Sequence, residues 1–385
     1  MKKIVISPDS FKGSLSSIEV ANAIEKGIHK VFPNCETVKI PIADGGEGTM
    51  ETLVNAMNGA KVKVKAYDPL MRPIEVEYGL VNEELTKNGK TAVIEMAIVN
   101  GLTLLSKEEQ NPSSTTTFGT GEIIKDALKR GCRSFMIAIG GSATNDAGTG
   151  MLRALGYRFL DKNGKETDGT GESLSEICSI DESGVMLELK NAHFTVACDV
   201  NNPFSGPNGA AFVYAPQKGA DEQMVKELDN GMECFRKLIE KEKGIDLNTM
   251  QGAGAAGGLG GGFIAFLNAQ LKLGIEMVLE AIDFEKHLQN TDLVITGEGK
   301  LDQQTGMGKA GSGILDAANK NNVPVIAIGG CVEDVENLNK RGFVSLFSIT
   351  PSPMSVEQAL QKENALTNII QTTEQIMRTI KQFKK

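Results

Sequence analysis

The order of elements between Lys2 and Thr49 constrains the fold more than any other stretch: strand, polar loop, helix, strand, polar loop. Ile4, Val5 and Ile6 form a wholly apolar run, the pattern of a strand buried on both faces. After the loop at 8–14, Ser16-x-x-Glu19 has the form of a capping box, and Val20, Ile24, Ile28 and Val31 follow at helical spacing up to Pro33. Val38, Ile40 and Ile42 then alternate as a second strand. A βαβ crossover carries both loops to the same edge of a parallel sheet. Such sheets bind their ligands at that edge. Both loops are equipped for it, with Asp9, Ser10 and Lys12 after the first strand and Asp44, Gly45, Gly46, Glu47, Gly48 and Thr49 after the second.

At 385 residues the chain exceeds a typical single core, so two domains are expected. A helix is expected over 49–58 and a strand through Val62, Val64 and Ala66, after which the texture changes at Asp68-Pro69. Shorter strands with hairpin punctuation follow: 74–81, the Asn88-Gly89 turn, 91–97, and a further turn at 161–165. A buried strand over 134–139 feeds GGSATNDAGTG (140–150), and another over 194–197 feeds CDVNNPFSGPNG (198–209). From residue 291 the parallel rhythm returns, with strands at 293–296, 324–328 and 344–349 and a terminal amphipathic helix over 355–383. Residues 1–70 plus 285–385 are therefore read as one discontinuous α/β domain, and 71–284 as an inserted mixed α+β domain.

Net charge and cysteine usage narrow the function. At −9 and a pI near 5.2 the chain repels polyanions, and no Lys/Arg cluster offers a local exception, so no nucleic-acid partner is expected. The basic KQFKK tail suits the C-terminal end of a helix. The six cysteines are scattered without a C-x-x-C, which argues against zinc and disulfides and for a reducing cytoplasm. No apolar run approaches the ~18 residues of a membrane span.

Gly252-x-Gly254-x-x-Gly257 matches the dinucleotide fingerprint formally, but GIDLNTM before it does not read as a strand, so a nicotinamide enzyme is disfavoured. Two readings of these glycines stay open: amides that approach a phosphate at a helix N-terminus, or close packing. There is no G-x-x-x-x-G-K-[ST], no G-x-S-x-G, and only three histidines, none in a polar loop. What remains is loops of carboxylates, glycines, hydroxyls and lysines at strand ends. Phosphoryl transfer uses that inventory, because its catalysis is alignment and charge stabilisation.

Seven stretches in order then carry a resemblance: VISPDSFKGSLSSIEVANAIEKG, PIADGGEGT, FGTGEIIKDAL, IGGSATNDAGTGML, ACDVNNPFSGPNGA, GAGAAGGLGGGF and TGEGKLDQQTGMGKA. Together they resemble the type I bacterial glycerate kinase family over about residues 2–380. The resemblance implies ATP-dependent phosphorylation of D-glycerate with Mg2+, two α/β domains of which one is flavodoxin-like or Rossmann-like, and an active site in the cleft between them. The members it resembles most make 2-phosphoglycerate; the residues themselves do not choose between the 2- and 3-phosphate. A kinase of a related sugar acid or hydroxy acid, and a non-catalytic glycerate or nucleotide sensor, are the rivals.

The candidate residues are assigned by position. Asp44 and Asp199, in loops after strands, suit a general base, and Asp199 and Asp302 suit a metal carried in by ATP. Lys12 joins the catalytic candidates, with Asp9, Ser10, Glu47 and Lys309 as substrate or phosphate contacts. Ser142, Thr144, Asn145 and Asp146, between a strand and a helix, form a candidate anion cradle, and Gly254, Gly257 and Gly258 a candidate phosphate loop.

Overall fold

The computed structural model describes residues 1–42, 48–82, 89–306 and 310–383. Asp44, Glu47 and Lys309, and Asn88 of the expected hairpin turn, lie outside the described residues. The chain opens on β1 (Lys3–Ile6), passes through the helix Ser17–His29 and returns as β2 (Glu36–Lys39). The helix Thr49–Ala56 precedes β3 (Ala60–Tyr67), β4 (Pro73–Val81), β5 (Thr91–Glu95) and β6 (Ser134–Ala138). A small antiparallel pair, β7 (Arg158–Leu160) and β8 (Ser179–Asp181), leads to β9 (His193–Ala197), and β10 (Gln270–Lys272) follows the helix Ala255–Leu267. Then come β11 (Leu293–Leu301), β12 (Val325–Val332) and β13 (Ser345–Ser348), and the chain ends on the helix Lys362–Phe383.

Two compact units result, residues 1–44 with 278–385, and residues 45–277. The first is a parallel five-stranded sheet in the order β13-β12-β11-β1-β2. Read from the other edge, this is the flavodoxin-like order, with its switch point between β1 and β11. The capping box forms as expected: Ser16 Oγ accepts from Glu19 N at 3.3 Å, and Ser16 N donates to the Glu19 carboxylate at 3.0 Å. Val20, Ile24 and Ile28 of that helix meet Ile369, Ile376 and Met377 of the terminal helix over Ile4 and Ile6 of β1. The two helices cross closely at Gly27, where a Cβ would stand 2.6 Å from Thr373 Cβ.

The second unit carries a mixed six-stranded sheet, β10-β9-β6-β5-β4-β3, antiparallel at the β3 end and parallel from β5 to β10. Its aromatic core includes Phe135 stacked on Phe194 at 4.6 Å. The strand through Val62 and Val64 belongs to this sheet, so the chain breaks at 44/45, upstream of the expected 70/71. The local turn explains it. Asp68 Oδ1 accepts from Leu70 N and Arg72 N at 2.9 and 2.8 Å, and this turn folds β3 straight back on β4. The segment before the helix Ala255–Leu267 is a short 3-10 turn, Leu247–Thr249, as its lack of strand pattern implied.

Candidate active site

In the first unit, the carboxyl ends of β1, β11, β12 and β13 enclose a cavity of about 800 Å³. The ladder continues past β1, with Asp9 N donating to Gly297 O at 2.8 Å, so the loop after β1 is held against β11. Asp9 is buried, and its Oδ1 accepts from Ser10 N at 2.6 Å. Phe11 and Leu15 pair across a tight turn through Gly13, at φ +79°, which leaves Lys12 exposed on the cavity wall. On the β11 side, Asp302 N donates to Thr305 Oγ1 at 3.0 Å, and Lys300 Nζ lies 3.0 Å from Glu333 and 3.8 Å from Asp302. The Glu333 carboxylate, with Asp302 behind it, raises the Lys300 pKa and keeps that side chain charged. Of the residues named from sequence, the cavity brings together Asp9, Ser10, Lys12 and Asp302. Aliphatic side chains line it among these polar groups: Val332 pairs with Leu301 beside Asp302, Leu360 approaches Gly13 beside Lys12, and Ile349 and Met354 complete the set.

The candidates of the second unit sit in a buried polar knot. Asp146 has no exposed surface, and its carboxylate accepts from Thr117 N at 2.7 Å, Thr117 Oγ1 at 2.8 Å, Thr116 Oγ1 at 3.4 Å, and Gly148 N and Gly150 N at 3.2 Å. Burial pushes its pKa up, and those donors pull it back. Lys218 is buried beside it and donates to Ser142 Oγ and Thr144 O, both at 2.7 Å. Desolvation lowers the Lys218 pKa to about 7, with the Asp146 charge opposing. Asn145 Nδ2 points at Met232 Sδ, 3.3 Å away, and Thr144 and Asn145 are both buried.

The three candidate glycines close this knot. A Cβ on Gly257 would stand 2.0 Å from Thr144 O, and one on Gly254 2.1 Å from Pro203 O. Gly258, at φ +86°, would meet Met232 and Phe204 under 3 Å. Ala147 N donates to Gly257 O at 3.0 Å. Of the two readings, close packing is the one these contacts display.

Asp199 lies elsewhere on the same unit, exposed after β9, and its Oδ1 accepts from Gly274 N at 2.8 Å, at the start of the helix Gly274–Ala281. Three further polar features escaped the sequence reading. Glu95, at the end of β5, is buried and accepts from Gly48 N and Met50 N in the first turn of the helix Thr49–Ala56. Its only signal is a carboxylate closing an apolar strand. Thr115–Thr117 feed the knot, and a run of hydroxyls before a helix is the mark of side chains bonded to backbone. Lys218 carries no local signal. Among the described residues no three His, Cys, Asp or Glu side chains cluster to hold a metal. All six cysteines are free thiols, and no helix among the described residues is long and apolar enough to cross a membrane.

A flavodoxin-like sheet with a cavity at the carboxyl ends of its strands, beside the switch point, defines the class: an α/β protein of the doubly wound kind. The profile of the Glycerate kinase family matches residues 4–381. The chain is 46% identical over 383 residues to the Glycerate kinase of Bacillus subtilis (strain 168), covering 99% of this chain and 98% of that one. It is 44% identical over 379 residues to the Glycerate 2-kinase of Escherichia coli (strain K12), covering 98% of each. The crystal structure of a putative glycerate kinase 2 from Salmonella typhimurium LT2 superposes with a TM-score of 0.89 at 42% identity, over 100% of this chain and 99% of that one. The chain belongs to the glycerate kinase family, and the resemblance read from its seven motifs is borne out.

Proposed function

We propose that the chain catalyses ATP-dependent phosphorylation of D-glycerate in the cytoplasm, with 2-phosphoglycerate as product. The observation that carries this is the family match across residues 4–381, joined by full-length relatives named for that activity, one of them a glycerate 2-kinase. The site chemistry supports it. Phosphoryl transfer needs cations to hold phosphates, carboxylates to manage metal and proton, and little covalent participation by the protein.

Asp44 and Asp199 are the candidates to take the proton from the acceptor hydroxyl as its oxygen bonds to phosphorus and ADP leaves. Asp44, Glu47 and Lys309 hold their places on sequence grounds. Lys12 is the candidate cation for the phosphates, and its exposure on the cavity wall supports that reading. Magnesium, when bound with the nucleotide, supplies charge neutralisation between the phosphate oxygens. The cavity fits that role: Mg2+ usually takes one or two protein carboxylates beside phosphates and water, and Asp9 and Asp302 both line the wall. Ser142, Thr144, Asn145 and Asp146 stay candidates for the acceptor on sequence grounds; Ser142 and Asp146 are bonded within the fold, whereas Thr144 Oγ1 and Asn145 Oδ1 are buried without a hydrogen-bond partner.

The test is ADP release by the purified protein with ATP, magnesium and D-glycerate, with the phosphate placed on C2 or C3 by phosphorus NMR. Turnover with the phosphate on C2 is expected. No turnover above an ATP-only blank, with another hydroxy acid phosphorylated instead, would remove the substrate assignment. Asp44→Asn and Asp199→Asn should each lower kcat about 100-fold if that residue is the base; activity within a few-fold of wild type removes it.

A further inference from the structure

Among the described residues the two large sheets end on β2, β13, β3 and β10, and these edges are not alike. β2 carries Glu36 and Lys39, β3 carries Lys61, Lys63 and Lys65, and β10 carries Lys272. Charge along an edge discourages the strand of a second copy from pairing there. β13 carries none: it reads Ser-Leu-Phe-Ser, and among the described residues it pairs with β12 alone. It is also apolar on its open side, with Val344 just before it 56% exposed and Phe347 36% exposed. We infer that two copies of the chain join about a two-fold axis through this edge and the neighbouring flank of the terminal helix Lys362–Phe383.

The groove beside the strand selects the partner. Phe347 forms one wall of a groove of about 300 Å³, and Asn368, Gln371, Thr372, Gln375 and Thr379 form the other, with no ionisable group in its lining. That spacing is one face of a helix, so strand and stripe make a continuous uncharged surface. The helix turns its charges to another flank, where Glu374 meets Lys30 at 3.0 Å and Arg378 at 2.8 Å. A two-fold interface sets each surface against its own copy. Carboxylates or ammonium groups would there face like charge, whereas amides and hydroxyls both donate and accept and so complement themselves. For a chain of net charge −9, an uncharged face is also where two copies approach at the least electrostatic cost. The same axis runs the two β13 strands antiparallel, which merges the two sheets and removes the open edge.

Sedimentation velocity of the whole protein from about 1 µM to about 50 µM measures the association. A species of twice 41.1 kDa that dissociates on dilution is expected; a monomer across the whole range overturns the inference. Ser345→Lys charges the strand and Gln375→Glu charges the stripe, and in a two-fold contact each new charge is opposed by its copy. Each variant should weaken association at least ~10-fold with an unchanged far-ultraviolet circular dichroism spectrum. A dimer that persists undiminished in both folded variants is joined through another face and overturns the inference. Hydrogen exchange on wild type decides the matter if the variants do not fold. Protection of the amides of 345–348 that rises at least ~10-fold over the same concentration range is expected, and protection independent of concentration overturns it.

Discussion

The two units use the same loop ingredients to opposite ends. In the first, the loops after β1 and β11 leave Asp9, Lys12 and Asp302 around open space, interleaved with aliphatic side chains. In the second, the loop after β6 turns its carboxylate, hydroxyls and glycines inward, where Thr117, Lys218 and backbone amides bond Asp146, Ser142 and the Thr144 carbonyl, while Thr144 Oγ1 and Asn145 Oδ1 are buried without a hydrogen-bond partner. A carboxylate between glycines and hydroxyls is therefore two things in one chain. Open, it lines a cavity. Closed, it replaces a hydrophobic contact with a hydrogen-bonded joint, costly to break because every partner is buried.

The largest expected effect tests that cost. Asp146→Leu strands the Thr117 and glycine donors in the interior and should lower the stability of the second unit by ~3–5 kcal/mol in urea titration. Lys12→Met, on the cavity wall, should stay within ~0.5 kcal/mol of wild type. Equal losses would erase the distinction between closed and open loops. A smaller effect separates two glycines that share a left-handed backbone. Gly257→Ala drives a Cβ against Thr144 O and should cost roughly 2–4 kcal/mol. Gly13→Ala has its nearest neighbour, Leu360 Cδ2, at 3.9 Å and should cost only the ~1–2 kcal/mol of backbone strain. Thermal unfolding of the pair measures the difference.

The last effect is a slope, small at any one pH step. Lys218 has a folded pKa near 7, below its unfolded value, so the unfolded chain binds more protons between pH 7 and about 10. This group's contribution to stability is therefore fully present above the unfolded pKa and lost as pH falls to 7. Wild type minus Lys218→Met should gain up to ~1.4 kcal/mol per pH unit across that window. A flat difference would mean that the ammonium stays charged in the knot and is paired more strongly than its hydrogen bonds indicate.

Much of the first unit was legible along the chain. The capping box at Ser16, the apolar run of β1 and the acidic loop after it are local signals; the cap and the buried strand form as read, and the loop lines a cavity. The boundary was less legible: Val62, Val64 and Ala66 alternate as any half-buried strand does, and pairing with β4 follows from the turn at Asp68. In the second unit, Asp146 and the glycines were marked as candidates for an anion cradle and a phosphate loop, while their inward orientation was not readable. Lys218, after Pro216-Gln217, looks like any solvated surface lysine, and its partners Ser142 and Thr144 lie far upstream. Glu95 likewise receives its donors from a helix that precedes it.

The sequence alone therefore determined the family, the α/β rhythm and the carboxylate-rich strand ends at 9–12 and 302, because periodicity, caps and motif order are properties of neighbouring residues. Tertiary structure decided which of those loops stays open. Burial depends on what packs from elsewhere in the chain, and an ammonium or carboxylate changes its chemistry when water is removed. Lys12 remained at the edge of the cavity first marked by its loop, and Lys218 became part of the interior.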